Sequence, residues 1–173
     1  IFYPKINKAI GNKFKIVTHH WSANKNKGFD LYKKLDKYLS IHEIKKKFEF
    51  IIIGNKPLFY NFKHSTYHKP MIDKKIANIL RNCDVYFTAS RNEPAGMHFL
   101  EGLASGLPTL YLESGGTTEY CRNYGIAIDE NNLLEKIFEI KSDYKTYRNK
   151  IINSYKKMDQ IMLDKYLNIL LSK

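Results

Sequence analysis

Residues 84–108 read DVYFTASRNEPAGMHFLEGLASGLP, which is the pattern of a strand, a loop and a helix in succession. The β-branched and aromatic residues within 84–88 predict the strand. Pro94 indicates that a helix begins close by. Proline is favoured at the start of a helix, because a backbone N–H at that position would have no hydrogen-bond partner within the helix. Apolar residues then recur at the spacing of one buried helix face, namely Leu100, Leu103, Ala104 and Leu107.

Two carboxylates, Glu93 and Glu101, stand on either side of seven residues in this stretch. We expect Glu93 just before the helix and Glu101 about two turns inside it, beside the buried face. Free N–H groups and the helix dipole favour an anionic ligand at a helix N-terminus. The pair therefore brackets a predicted anion site. The alternatives are a helix-capping acid at Glu93 and an ordinary solvated residue at Glu101.

Strands and helices alternate along the rest of the chain. Strands are predicted at residues 14–18, 48–53, 108–112 and 125–128, with a shorter one within 61–66. Helices are predicted at residues 29–39, 71–82, 96–105 and 118–122, and from 131 to 171 with an interruption near residue 142. This alternation predicts a doubly wound parallel sheet, in which ligands bind beyond the carboxyl ends of the strands.

Three landmarks, taken in order, resemble glycosyltransferase family 4, whose members are retaining enzymes of the two-domain GT-B fold. Residues 90–108 are similar to its Glu-x7-Glu signature, residues 114–120 to its Gly-Gly-x-x-Glu loop, and residues 27–28 to its phosphate-binding Lys-Gly segment. The resemblance covers residues 14–128. It implies an α/β fold with a Rossmann-like doubly wound parallel sheet, one half of a GT-B fold, namely the C-terminal, donor-binding half.

The resemblance also implies roles for individual residues. Glu93 lies by the donor sugar, Glu101 hydrogen-bonds the ribose, and Lys27 holds the diphosphate. Glu93 and Lys27 are the candidate catalytic residues, with Glu93 stabilising charge rather than acting as a nucleophile. The candidate donor-binding residues are Ser22, Lys27, Gly54, Asn55, Ser90, Glu93, Ala95, Gly96, Met97, Glu101, Gly115 and Gly116. The base is expected near residues 54–57.

Ordinary readings remain open for several of these residues. Lys27 has many lysines around it and is also interpretable as a solvated loop residue. Gly115 and Gly116 are also interpretable as a plain turn. His98 stands three residues before Glu101, but no cluster of further ligands accompanies the two. We therefore expect no metal site, and no cofactor other than the donor substrate.

The chain departs from the family beside the lysine. Family members carry an arginine that shares the diphosphate, and alignment on Lys27 puts Ser22 in its place. Serine cannot replace a planar, bidentate cation. The sequence offers Lys25, or neutral hydrogen bonds from Ser22 and Asn24, as substitutes. The neighbouring Trp21 is interpreted as buried in the core rather than stacked on the donor.

Length and composition fit one globular domain. The chain has 173 residues, of which 43% are hydrophobic, and no apolar run approaches the length of a membrane span. We predict a linker or domain remnant at residues 1–13 and a nucleotide-sugar-binding domain at 14–173, with C-terminal helices from about residue 144. The acceptor-binding domain is expected to be missing. Cys83 and Cys121 lack metal or redox spacing and are expected to be buried thiols.

The net charge of +12 is concentrated at the two ends of the chain. Residues 1–50 carry twelve lysines and four acids, whereas residues 51–130 carry eight charges of each sign. Basic ends suit an anionic membrane or nucleic acid, although AT-rich codons, which favour lysine, asparagine, isoleucine and tyrosine, explain them better. We predict a cytoplasmic protein with peripheral contact at the inner face of the membrane and no nucleic-acid partner.

Together these observations predict a glycosyltransferase domain. It would bind a nucleoside-diphosphate sugar for retaining hexosyl transfer in glycan or glycolipid synthesis, and would be inactive alone without its acceptor domain. Two alternatives remain, a non-catalytic nucleotide-sugar-binding module and a sugar-nucleotide epimerase of GT-B architecture.

Overall fold

The fold is a six-stranded sheet with helices on both faces. The structure is a computed structural model that describes residues 1–94 and 96–171. It does not describe the side chains of residues 155–166 and 169–170. The strands are β1 (Phe14–His20), β2 (Phe48–Gly54), β3 (Thr66–His68), β4 (Val85–Thr88), β5 (Thr109–Leu112) and β6 (Gly125–Ile128). The helices are α1 (Phe29–Tyr38), α2 (His42–Lys47), α3 (Asp73–Arg81), α4 (Met97–Ala104), α5 (Thr117–Cys121), α6 (Leu133–Ser142) and α7 (Tyr144–Leu171).

The strands lie in the order β3-β2-β1-β4-β5-β6, and every neighbouring pair is parallel. Strands β2 and β3 follow one another outward on one side of β1. The chain then crosses back, and β4, β5 and β6 follow one another outward on the other side of β1. This is the doubly wound order in which ligands bind at the point where the direction reverses. Here that point lies between the carboxyl ends of β1 and β4. The predicted fold class is confirmed.

Two apolar clusters, one on each face of the sheet, form the core. On one face Phe14 and Ile16 of β1 pack with the buried residues of α1 and α6. On the other, Val17 packs with those of α3, α4 and α5. The alternation arises because successive side chains of a strand point to opposite faces. Since both faces are covered, the strands are apolar over nearly their whole length.

Two elements differ from the prediction made on the sequence. The third strand spans Thr66–His68 rather than lying within residues 61–66. The reason is that the buried Asp36 carboxylate accepts hydrogen bonds from the backbone N–H groups of Lys63 and His64 and from the Ser65 hydroxyl, which holds those residues in a loop. The short helix α2 was not predicted, because six residues are too few to show a helical period.

The two cysteines are buried and free, as predicted. Burial raises the pKa of both thiols, Cys83 and Cys121, to about 12, so neither forms a thiolate near neutral pH. No helix within the described residues has the length and apolar character needed to cross a bilayer.

Candidate functional site

A cavity of about 420 Å³ opens at the switch point between β1 and β4. The loops after these two strands line it, together with α4 and the start of α3. Six of the predicted donor-binding residues are among its lining residues, namely Ser22, Lys27, Glu93, Gly96, Met97 and Glu101. The topology thus brings to one place residues that come from two separate loops and a helix.

Lys27 and Glu93 form an ion pair across the mouth of this cavity, with Nζ and Oε2 2.5 Å apart. Lys27 ends a short 3₁₀ turn after β1, and Gly28 follows it with a φ of 73°. A side chain at residue 28 would lie 2.0 Å from the Ala89 carbonyl oxygen, so glycine is required there. Lys27 is therefore held by the fold and is not a solvated loop lysine.

Glu101 is held by a histidine that the sequence did not indicate. The Nε2 atom of His19 lies 2.7 Å from the Glu101 carboxylate, and the Tyr86 hydroxyl lies 3.1 Å from Nδ1 of the same ring. With Nε2 protonated, His19 donates to Glu101 and can accept from Tyr86. Glu101 is thus not an ordinary solvated residue. Only the adjacency of β1 and β4 could have indicated this contact.

Ser90 is buried and lies next to His98 rather than on the cavity wall. Nε2 of His98 is 3.2 Å from the Thr88 hydroxyl and 3.4 Å from the Ser90 hydroxyl. Burial, followed by the charge of Lys27, holds the pKa of His98 well below its usual value. His98 is therefore a neutral, half-buried residue that orders the end of β4 close to the cavity.

Gly115 and Gly116 pack against the backbone of the loop that carries Glu93, and they do not line the cavity. The Gly116 N–H donates to the Glu93 carbonyl at 2.9 Å. Gly115 has a φ of 59°, and a Cβ atom there would lie 2.6 Å from the same carbonyl oxygen. The pair is thus more than a plain turn, since its close approach to the Glu93 backbone allows no side chain at residue 115.

Gly54 and Asn55 lie beside the cavity, at the end of β2. Gly54 packs against the His20 backbone, and the Asn55 amide donates to the Trp21 carbonyl at 2.6 Å. The prediction that Trp21 is buried was wrong, because its side chain is 61% exposed and lines the cavity. The physical reason is that β1 ends at His20, so Trp21 lies beyond the sheet and outside the core.

The start of α4 is formed by Gly96 and Met97, whereas Ala95 lies outside the described residues. Gly96 is the N-cap, and no described side chain caps the helix. Glu93 is therefore not the capping acid of the alternative reading. Its carboxylate is directed to Lys27 instead.

The cavity is poor in positive charge. Among the described residues that line it, Lys27 is the only lysine or arginine, and it is opposed by Asp73, Glu93 and Glu101. Lys25, suggested as a substitute for the missing arginine, is exposed and is not part of the lining. No group of three or more potential metal-binding residues is found within the described part of the chain.

Residues 5–158 match the model of a protein family described as glycosyl transferases group 1. No curated protein matches the chain. Solved structures match its fold. WaaG, a glycosyltransferase involved in lipopolysaccharide biosynthesis, gives a TM-score of 0.71 at 16% identity, covering 94% of this chain and 48% of WaaG. HepE from Anabaena, in complex with UDP-glucose, gives a TM-score of 0.69 at 16% identity, covering 93% and 49%.

A third structure is a single domain. The C-terminal domain of LpcC, a glycosyl transferase group 1 family protein from Francisella tularensis, gives a TM-score of 0.64 at 19% identity, covering 87% of this chain and 90% of that domain. At such identities the likeness shows the fold alone. The chain spans about half the length of the WaaG and HepE chains.

Proposed function

Because the chain belongs to the glycosyl transferases group 1 family and has the fold of a GT-B C-terminal domain, we propose that it binds a nucleoside-diphosphate sugar at the switch-point cavity. The transfer would be retaining hexosyl transfer of the family 4, Glu-x7-Glu type, to a glycan or glycolipid acceptor. The observation that carries the proposal is the convergence of Lys27, Glu93 and Glu101 on one cavity.

The diphosphate would lie on Lys27 and the first N–H groups of α4. A fixed cation and backbone donors stabilise the leaving diphosphate without reorganising in the transition state. In the structure Lys27 is paired with Glu93. A bound diphosphate would give Lys27 a second anionic partner, and Glu93 would then be free to face the sugar as positive charge develops on it.

The ribose would lie on Glu101. A carboxylate that accepts hydrogen bonds from ribose hydroxyls is a common nucleotide contact. His19 donates to one carboxylate oxygen at 2.7 Å and so fixes the orientation of the group. The base would lie toward residues 54–57, beside the exposed Trp21. HepE was solved with UDP-glucose, so UDP and UDP-glucose are the first probes to use.

Thermal-shift measurements with UDP, GDP, ADP and their sugars test the proposal. A ligand at a hundred times its Kd stabilises the folded state by about 2.7 kcal/mol, which raises Tm by several degrees. Glu101→Gln should reduce the shift, because an amide cannot accept at both positions. Glu43→Gln, at an exposed residue of α2, is the matched control. A flat response of the unmodified protein to every nucleotide would exclude the proposal.

A non-catalytic binding module is the second candidate. It is favoured by the charge of the cavity, where Lys27 alone opposes three carboxylates among the described lining residues. Donor hydrolysis by a protein that also contains the acceptor domain separates the two candidates. An enzyme should lose most of its activity in the Glu93→Ala variant. A binding module should show the same low hydrolysis with and without the change.

We also propose peripheral contact with an anionic membrane on the cytoplasmic side. In the loop after β2, Leu58 and Phe59 are 92% and 95% exposed, and Lys56 and Lys63 flank them. Exposed apolar side chains between cations suit an anionic lipid surface. Co-sedimentation with phosphatidylglycerol vesicles should fall in a Leu58→Ser, Phe59→Ser double variant. Equal binding to neutral phosphatidylcholine vesicles would contradict a charge-dependent contact.

A further inference from the structure

His20 is a buried histidine whose two ring nitrogens have no hydrogen-bond partner among the described residues. It is only 5% exposed, yet it contributes to the wall of the switch-point cavity. Its ring stacks on Tyr32, with centroids 6.0 Å apart, and meets the Phe29 ring edge-on at 4.9 Å. A buried polar group without a partner costs free energy and is rare in folded proteins. Such a group beside a cavity is available for a hydrogen bond to a ligand.

The position of His20 in β1 determines which part of a ligand it can reach. Successive side chains of a strand point to opposite faces of the sheet. His19 contacts Glu101 on the α4 face, so His20 lies on the α1 face, where Phe29 and Tyr32 begin the helix. Lys27 lies two residues before that helix, next to its N-cap Gly28. His20 is therefore on the phosphate side of the proposed site and not on the ribose side.

The ring of His20 is uncharged near neutral pH. Burial, followed by the nearby charge of Lys27, lowers its pKa to about 4. The carbonyl groups of Ser22 and of His20 itself oppose this shift, but neither reaches hydrogen-bonding geometry with the ring. A neutral imidazole has one N–H donor and one acceptor nitrogen. It can thus donate to an anionic oxygen without adding a charge to the cavity.

We propose that His20 donates its N–H to a phosphate oxygen of the bound nucleoside diphosphate, supplying a neutral hydrogen bond where Ser22 stands in place of arginine. This inference rests on the proposed function, since it requires a diphosphate beside Lys27. It goes beyond that function in naming a binding residue that lies outside the three family landmarks. It also explains why an unpaired polar ring is kept in the wall of the cavity.

Three variants of His20 test the proposal. His20→Phe keeps an aromatic ring against Phe29 and Tyr32 but removes both nitrogens. His20→Asn and His20→Gln each keep one N–H donor, near the positions of Nδ1 and Nε2 respectively. His42→Phe, at an exposed residue of α2 near the amino end of β2, is the matched control. Titration calorimetry with UDP, GDP and ADP, and with the corresponding monophosphates, measures the affinity of each protein.

We expect His20→Phe to bind the preferred nucleoside diphosphate ten- to a hundredfold more weakly, the usual effect of losing one hydrogen bond to a charged group. Without ligand its Tm should equal or exceed that of the unmodified protein, because an unpaired polar group has been removed. Asn or Gln should restore at least part of the affinity. The loss should be smaller for the monophosphate than for the diphosphate.

Two results would overturn the inference. One is a His20→Phe variant that binds the diphosphate as tightly as the unmodified protein. The other is a large fall of Tm without ligand, which would show that the ring has a structural role. If the unmodified protein binds none of the nucleotides, the proposed function fails first, and the His20 inference fails with it. Unchanged binding in the variant alone overturns only the inference.

Discussion

At the scale of single residues, the site is built from polar groups that hold one another in place. Lys27 is paired with Glu93, and Glu101 with His19, at 2.5 and 2.7 Å respectively. Each pair joins a group from the end of β1, or from the loop that follows it, to one from the region after β4. The carboxylates are therefore preoriented before any ligand binds, which lowers the cost of ordering them on binding.

His19 should influence ribose recognition through Glu101. We expect His19→Leu to reduce the preference for UDP over 2′-deoxy-UDP by several-fold, because the Glu101 carboxylate loses its fixed orientation. If another nucleotide binds, the same comparison is made between its ribo and deoxy forms. His19→Gln keeps a donor near Nε2 and should retain part of the preference. Titration calorimetry with the ribo and deoxy ligands measures it. An unchanged preference in His19→Leu would contradict a positioning role.

His20 should make the protein less stable in mild acid. Its pKa is lowered from 6.5 to about 4 in the folded state, so the unfolded chain binds the proton at higher pH. The contribution of His20 to the free energy of unfolding is therefore complete above pH 6.5. It decreases as the pH falls from 6.5 toward 4. At about 1.4 kcal/mol per pKa unit, His20 alone should remove about 2 kcal/mol between pH 7 and pH 5. His98 adds to the loss in the same direction.

Urea denaturation at the two pH values checks this prediction. His20→Phe should lose about 2 kcal/mol less than the unmodified protein between pH 7 and pH 5, whereas His42→Phe should behave like the unmodified protein. The carboxylates contribute equally to all three proteins and cancel from the comparison. The same pH dependence in His20→Phe and the unmodified protein would show that His20 does not titrate in this way.

At the scale of elements, the loops rather than the helices and strands determine where the functional side chains lie. The turn at Gly115 and Gly116 packs on the backbone of Glu93, and the Ser114 hydroxyl accepts from the Asn92 N–H at 2.8 Å. The loop after β5 therefore supports the loop after β4. Arg91 binds both carboxylate oxygens of Asp30 at 2.8 and 2.6 Å and so ties the β4 loop to the start of α1.

Gly115→Ala should therefore disturb the Glu93 loop. An alanine with a φ of 59° costs about 1–2 kcal/mol, and its Cβ would lie 2.6 Å from the Glu93 carbonyl oxygen. We expect lower stability by about 2 kcal/mol or more, together with reduced transfer by a protein that contains both domains. Gly11→Ala is the control, since no heavy atom beyond its chain neighbours lies within 4 Å of a Cβ at residue 11.

Denaturation and sugar transfer are the two measurements for this variant. The prediction fails if Gly115→Ala is as stable as Gly11→Ala. Loss of stability with full transfer would show that the turn supports the fold but does not hold Glu93 in its working position.

At the scale of the whole molecule, the chain has the fold of a GT-B C-terminal domain. It spans about half the length of the WaaG and HepE chains. A donor held at the open edge of one domain is exposed to water, and the acceptor is expected to be held by another. We therefore expect the 173 residues alone to bind donor but to form no transfer product.

Product formation measured with radiolabelled UDP-glucose, or with the sugar of whichever nucleotide binds, tests this expectation. A protein that carries both domains is the positive control. Efficient transfer to a glycan acceptor by the isolated chain would contradict it. Donor binding by the isolated chain, measured in parallel, distinguishes a missing acceptor domain from a site that has not formed.

The sequence alone determined the class of fold, because the periods of apolar residues reflect which face of each helix or strand is buried. It also indicated Lys27, Glu93 and Glu101, which the structure brings to one cavity. Tertiary structure decided what these residues contact. His19 and Glu101 are 82 positions apart, and Lys27 and Glu93 are 66 apart. Such pairs depend on strand order, which local patterns do not encode. The burial of His20 and the exposure of Trp21 followed from where β1 ends, a boundary fixed by its pairing with β2.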